Sequence, residues 1–368
     1  MNIFLLFAYG TVVLLCTVLL LSIWVVASNA VYVHIEKKNQ VLRNQLKTLI
    51  VNVLNPNNER INTTSAAALK NLITRHKQMT CGVLAQIVHS GTGISQRRLI
   101  NALQDYGLST IAHQELRNLK ALRKQKRLWA AANLPFLASA EDIIPALSAT
   151  LTDNDSAVRL SAAQALSTLH AAETAYDIID KLSTEKTIPW TRIVELMPSL
   201  GQEAIPLLIH ALQTQTLSAD QRAITLASLG ILRATQAEEV LATHLTDPDK
   251  HIRIQAAKAL GSLPAKNSTP ALLIALADKE WEVRVVCAHA LGNIANPSAL
   301  TGLFTHLGDP VYWVRYNSAD ALSKMGTPGI AQLEQGLTSQ DPFARDACQL
   351  ILDRTRHLQT TEDGVQGC

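Results

Sequence analysis

Few residues in this 368-residue sequence are spaced for chemistry. The nearest approaches to a His-Glu pair, which would offer a metal an imidazole and a carboxylate together, are His34-Ile35-Glu36 and His113-Gln114-Glu115. A metal needs several convergent ligands. The 11 His are scattered along the chain, so neither a metal nor a cofactor is expected. Ser90-Gly91-Thr92-Gly93, just before Ile94-Ser95-Gln96-Arg97-Arg98, is a short glycine-rich turn. It lacks the length and the Lys-Ser/Thr of a phosphate-binding loop and follows no strand, so it reads as a connection between helices. The five cysteines (Cys16, Cys81, Cys287, Cys348 and Cys368) are odd in number and show no CxxC spacing. They imply neither a disulfide framework nor a zinc knuckle, and they suit a reducing compartment. No nucleophile–base pair stands out, and no catalytic residue is expected.

The elements that carry these residues are legible in the composition. The chain is 48% hydrophobic but only 4% aromatic and 17% charged. That excludes a disordered, collagen-like or disulfide-stapled chain. Its richness in Ala and Leu, the best helix formers, points to closely packed helices. The net charge of +3 hides a strong asymmetry. Residues 34–130 hold 16 Lys/Arg against 4 Asp/Glu, and residues 131–368 hold 17 against 26.

Ile3 to Ala27 is a nearly unbroken apolar run, longer than the roughly 20 residues that cross a hydrocarbon core. Trp24 stands near its end, where the membrane interface favours amphipathic rings. A cleavable signal peptide is the rival reading, with Ser28-Asn29-Ala30 as a small-residue site, but there is no basic n-region and the apolar run is too long. Lys37, Lys38, Arg43 and Lys47 follow the run, where anionic lipid or an acidic partner would attract them. The positive-inside bias then sets the N-terminus outside and the bulk of the chain in the cytoplasm. A periplasmic body behind a signal-like anchor is the alternative topology. Ile35, Leu42, Leu46, Leu49 and Val53 form the seam of an amphipathic helix that Asn55-Pro56 ends. Asn39 lies at a seam position, so residues 35–55 could pair in a homo-oligomer, lie on the bilayer or pack on the chain's own domain.

A repeat of about 31 residues fills the rest. Arg127, Arg159, Arg192, Arg222, Arg253, Arg284, Arg315 and Arg345 recur every 30–33 residues, and a Leu stands seven positions after all but Arg192, where Leu200 is eight away. Asp153, Asp247, Asp278 and Asp309 lie six before four of these arginines. Each unit reads as a short helix, such as Pro270–Ala277, then an Asp turn, then a second helix with Val-Arg-x-x-Ala-Ala-x-Ala-Leu-Gly. The Asp is expected to cap the second helix. Gly261, Gly292 and Gly326 are expected at left-handed C-terminal caps. The recurring Arg is expected to reach the Asp of an adjacent repeat and form a structural ladder.

From about Arg127 to Leu352 the sequence resembles the HEAT-repeat family, in the roughly 30-residue variety associated with phycobilisome lyases. The match is weakest over Thr187–Gly201, where the register slips. The resemblance implies an all-α fold, a right-handed α-α superhelical solenoid lined by the second helices, here preceded by one transmembrane helix. It does not imply an activity. The repeated His-Glu pairs of di-iron hydroxylases in the family are missing. The acidic body opposes nucleic acid, and nothing specifies a bilin pocket.

The expected organisation is a transmembrane anchor (1–34), a juxtamembrane amphipathic helix (35–55), a divergent helical cap or degenerate repeats (56–125), the solenoid (126–353) and a disordered tail (354–368). One pattern exceeds what a scaffold needs. Trp190, His251, Trp281, Tyr312, Trp313 and Phe343 lie two or three residues before an anchor Arg, and Tyr316 follows Arg315. Equal positions in a solenoid form a stripe, and exposed aromatics there would anchor a protein. The competing role is to fill gaps between repeats. If so, the contact surface would move to the basic segment of Arg117, Arg123, Lys124, Lys126 and Arg127. The function expected is a membrane-tethered scaffold or regulatory subunit that binds another protein of a membrane complex. The alternative is a lyase-like enzyme acting through the concave face.

Overall fold

The computed structural model describes residues 3–54, 63–90, 95–184, 187–214 and 216–366. The turn at residues 91–94 and Cys368 lie outside them. The described residues are helical, with no strand. They divide into two compact units: residues 1–120 with 133–139, and residues 121–132 with 140–368.

The first unit is built on α1 (Ile3–Leu54), a single 52-residue helix. The apolar run and the amphipathic seam are therefore one element. Its described apolar part is fully exposed, with mean hydropathy 1.9 in the most apolar window. Helices α2 (Thr63–Arg75), α3 (Lys77–His89), α4 (Gln96–Leu103) and α5 (Leu108–Asn118) complete the unit. Leu46, Ile50 and Leu54 recur every four residues, so they share a face of α1, and all three are buried. That face packs on α2, α3 and α4. Above Leu42 the stripe ends and Ile35 is exposed, so the lower part of the expected seam is occupied within the chain itself. The C-terminal carbonyl of α1, at Leu54, accepts from Arg98 at 3.2 Å. The buried face at the end of α1 and helices α2–α4 thus share one core.

The second unit continues with α6 (Lys124–Asn133), of which residues up to 132 belong to it, then α7 (Ala140–Thr150), α8 (Ser156–Thr168), α9 (Ala175–Ser183), α10 (Trp190–Val194), α11 (Met197–Leu200), α12 (Ala204–Thr214) and α13 (Ala219–Ile231). Then come α14 (Glu238–Thr243), α15 (Lys250–Gly261), α16 (Thr269–Ala275), α17 (Trp281–Ile294), α18 (Leu300–Thr305), α19 (Tyr312–Ser323), α20 (Thr327–Gly336) and α21 (Pro342–Gln366). Its backbone is the stack of second helices: α13 on α15, α15 on α17, α17 on α19 and α19 on α21. This is an α-solenoid: each repeat hides its apolar face only by stacking on its neighbours. The slipped register at Arg192 has a local cause, because the second helix there is broken into the short α10 and α11, with Gly201 after them at φ +89.

Two expectations are corrected. The repeat Asp residues do not cap the second helices. Asp153, Asp247, Asp278 and Asp309 each accept the N–H two residues on, at 2.8–2.9 Å, which closes the turn. The N-caps stand at that later position: Asp155, Asp249, Glu280 and Val311, of which only the two Asp cap with their side chains. Second, Gly261 and Gly292 are helical; of the three expected caps only Gly326 has positive φ, at +67. The left-handed corners are taken by His170, Arg233 and Ala295. Gly230, Gly261 and Gly292 serve packing, since a Cβ on each would lie 2.7–2.9 Å from the Cα of Ala259, Ala290 and Ala321 in the next repeat. The last helix, α21, runs to Gln366. Once Ala344, Ala347, Cys348 and Ile351 have docked its first turns, each further residue adds a hydrogen bond without a new nucleation cost.

Candidate partner-binding surface

Four of the second helices, α8, α15, α17 and α19, start at a turn held from both sides by arginine. In Arg253, Nη1 donates back to the carbonyls of Asp247 and Pro248 at 2.8 and 3.1 Å. Its Nε and Nη2 reach forward to both oxygens of Asp278 in the next repeat, at 2.7 and 2.9 Å. Arg284 repeats this with the carbonyls of Asp278 and Lys279 behind and the carboxylate of Asp309 ahead, at 2.8 and 3.0 Å. Arg127 grips Asp153 with the same fork at 2.7 and 3.0 Å. Arg222 reaches Asp247 through Nη1 alone at 2.5 Å. Such bidentate pairs combine charge with fixed geometry. Burial pushes the carboxyls of Asp278 and Asp309 up, but the hydrogen bonds from Arg253 and Arg284 and from the turn N–H groups outweigh it and hold both below the usual carboxylate range.

The other four arginines differ. Arg159 donates to the carbonyl of Asp153. Arg192 is exposed and pairs at 3.2 Å with Glu195, the residue that follows its own short helix. Arg315 and Arg345 keep the backward half: Nη1 bonds the carbonyls of Asp309 and Pro310 in one and of Ser339 and Gln340 in the other. Among the described residues neither holds a carboxylate ahead.

The aromatic residues sit on the first turns of these same helices. Trp190, His251, Trp281, Tyr312, Trp313 and Phe343 are all exposed, with Trp313 at 54% and Phe343 at 59%. Tyr312 and Trp313 meet edge to face with centroids 5.3 Å apart, and Tyr316 lies 6.2–6.3 Å from both. Tyr316 itself is half-buried: its Oη accepts from Arg354 at 2.7 Å, and Arg354 also pairs with Asp320. It therefore supports the cluster more than it presents it. The Phe343 and Tyr312 rings lie 4.9 and 5.9 Å from the guanidinium carbon of Arg315. Arg354 and the Ser339 position were missed by sequence reasoning. Ser339 could have been found by counting six back from Arg345.

The remaining sequence candidates are spread out. Lys37, Lys38 and Lys47 are exposed on α1, and Arg43 is half-buried, donating to Gln40 at 3.2 Å. In the fallback segment, Lys124 and Arg127 are taken up by Asp155 and Asp153, while Arg117, Arg123 and Lys126 are exposed. His113 and Glu115 serve different ends: His113 bonds the Ser109 carbonyl, whereas buried Glu115 holds Lys77 at 2.9 Å and Asn118 at 2.7 Å. Among the described residues no group of three His, Cys, Asp or Glu could hold a metal ion. Cys81, Cys287 and Cys348 are buried, and burial raises all three thiols, Cys81 to about 12 and Cys348 to about 11. Thiols of that kind are inert.

Three stretches match models of repeat families: residues 269–352 match HEAT repeats, residues 143–171 a HEAT repeat, and residues 252–278 the PBS lyase HEAT-like repeat. No curated protein matches the chain. Among solved structures, one engineered protein is 18% identical, with 84% of this chain and 98% of that one covered and a TM-score of 0.38. A second is 22% identical, with 59% and 97% covered and a TM-score of 0.35. The karyopherin Kap121p is 11% identical at TM-score 0.35; the match covers 84% of this chain but only 45% of Kap121p. The second unit of this chain is an α-solenoid that contains HEAT repeats, among them one of the PBS-lyase-like kind.

Proposed function

We propose that this chain is a non-catalytic, membrane-tethered scaffold whose solenoid binds a protein component of a membrane-associated assembly. One observation carries the reading: exposed aromatic side chains recur on the first turns of second helices whose cores are otherwise Ala and Leu. Trp281, Tyr312, Trp313 and Phe343 come from three successive repeats, and large exposed aromatics are the side chains that most often dominate protein interfaces. The long exposed apolar helix α1 supports the tether. The basic residues that follow its apolar part favour a cytoplasmic solenoid. Alkaline extraction and protease protection of a C-terminal tag test the tether and its orientation. Changing Trp281 and Trp313 together to Ala should abolish capture of the partner from native membranes in mild detergent, scored by mass spectrometry against the unchanged chain, with the melting temperature nearly preserved. Loss of stability with unchanged capture would make these side chains packing elements and end the reading.

A further inference from the structure

The ladder has an open rung, and it lies inside the aromatic cluster. In the Arg127, Arg253 and Arg284 rungs the Nε/Nη2 fork holds the Asp of the following turn. In the turn ahead of Arg315, Ser339 stands where that Asp would be. Ser339 keeps the Asp's local task, its hydroxyl accepting the Asp341 N–H two residues on at 3.2 Å. Asp341 keeps the N-cap task, accepting the Phe343 N–H at 2.9 Å. Only the carboxylate that would face the arginine is gone.

Arg315 is nonetheless held as its sisters are. It is 8% exposed, and Nη1 is fixed by the Asp309 and Pro310 carbonyls at 2.7 and 3.1 Å. Its Nε is buried without a hydrogen-bond partner. A buried guanidinium with an unmet donor costs free energy, and it is pre-set for a planar oxyanion with two acceptors. The rings of Phe343 and Tyr312 beside it are exposed, and Trp313 adjoins Tyr312.

We infer that the open fork of Arg315 is the specificity point of the partner surface. It takes an Asp or Glu side chain from a partner segment whose flanking apolar residues lie on Tyr312, Trp313 and Phe343. The partner's acid completes the rung that Ser339 leaves open, with Phe343 as the side chain that shifts to admit it. A carboxylate is the group committed to, because a carboxylate is what the sister forks hold and what the change from Asp to Ser removes. The inference rests on the scaffold reading and names the chemistry of its partner.

The test uses the full chain in nonionic detergent, immobilised, with randomised twelve-residue peptides fixed at one central position. One pool carries Asp or Glu there, the other Asn or Gln. The acidic pool should be retained about tenfold over the amide pool, the equivalent of ~1.4 kcal/mol. Ser339→Asp supplies the carboxylate in cis. It should raise the melting temperature and erase the preference, whereas Ser339→Asn, which keeps the turn and adds no charge, should leave the preference intact. Equal retention of the two pools by the unchanged chain overturns the proposal. So does an acid preference that survives Ser339→Asp. If Trp281→Ala/Trp313→Ala still abolishes capture from membranes in either case, the scaffold reading stands and only the acid fails. If that capture is unaffected too, both fall.

Discussion

The two units of this chain solve the same problem, joining helices too short to stand alone, in opposite ways. The second unit repeats one joint: an arginine fork on an aspartate turn, with a glycine set against the backbone of the next helix. Among its described residues the first unit shows no repeated joint. It lays helices on the apolar face of α1 and, among the described residues, adds a charge pair between part-exposed Lys77 and buried Glu115. A repeated joint spreads stability over the solenoid, so damage should stay near its own repeats. A single core concentrates it, so damage there should be felt across the unit. Hydrogen exchange read by mass spectrometry, segment by segment, separates the two behaviours.

The largest expected effect is at a closed rung. Arg284→Ala leaves Asp309, whose side chain is 6% exposed, without its fork and frees the carbonyls of Asp278 and Lys279. Breaking such a pair costs on the order of 3 kcal/mol. The loss should appear as faster exchange in α17–α19 and their turns, with the first unit unchanged. The cost also has a pH signature. Asp309 is held below its ordinary value when folded, so its contribution is complete above the unfolded pKa of about 3.9 and disappears as pH falls through the lower folded value. The gap between the unchanged chain and Arg284→Ala should therefore be constant near neutrality and close below about pH 4. A gap that persists in acid would show that the fork works through the carbonyls alone.

Next comes Lys77→Ala in the first unit. Glu115 is buried and would keep only Asn118. The Lys77 side chain is 37% exposed, so water screens part of the pair, and about 2 kcal/mol is expected instead of the ~3–5 of a fully buried one. Exchange should rise throughout α2–α5. Adding Glu115→Gln should recover much of the loss, since the amide needs no counter-charge. Damage confined to the ends of α3 and α5 would erase the contrast between the units.

How much of this was legible follows from what each residue contacts. The arginine spacing exposed the repeat, because a joint used many times leaves a period in the sequence. The aspartate's task was misplaced by two residues. A carboxylate that closes a turn and one that caps a helix accept N–H groups at the same short range, and only the backbone tells them apart. The glycines misled for a related reason: Gly261 and Gly292 end a Leu-Gly pattern that fits a C-cap, yet their cause is an Ala one repeat away, which no local window contains. The Lys77–Glu115 pair spans 38 residues once only, and nothing in the sequence marks it. The aromatic positions were legible as a period, and their exposure was not, since a ring between repeats and a ring on the surface occupy the same place in the pattern.

Glycine gives the smaller test of the comparison. At Gly292 an added Cβ would sit 2.7 Å from both the Cα and Cβ of Ala321, so α17 and α19 must separate. Gly292→Ala should cost about 1–3 kcal/mol as overpacking. The damage should again be local, as faster exchange in those two helices.

The smallest effect has the opposite sign. Gly82 lies within α3, is exposed, and an added Cβ there would meet nothing within 4 Å. With no neighbour to displace, only the chain's own preference remains, and alanine favours the helix over glycine by up to about 1 kcal/mol. Gly82→Ala should raise the melting temperature of the first unit slightly and slow exchange along α3. The same chemical change thus stabilises one unit and destabilises the other, because one glycine relieves no contact and the other is required by the close approach of two helices. If Gly82→Ala also destabilises, α3 carries a close contact on that face, and the first unit resembles the solenoid's packing more than its sequence suggests.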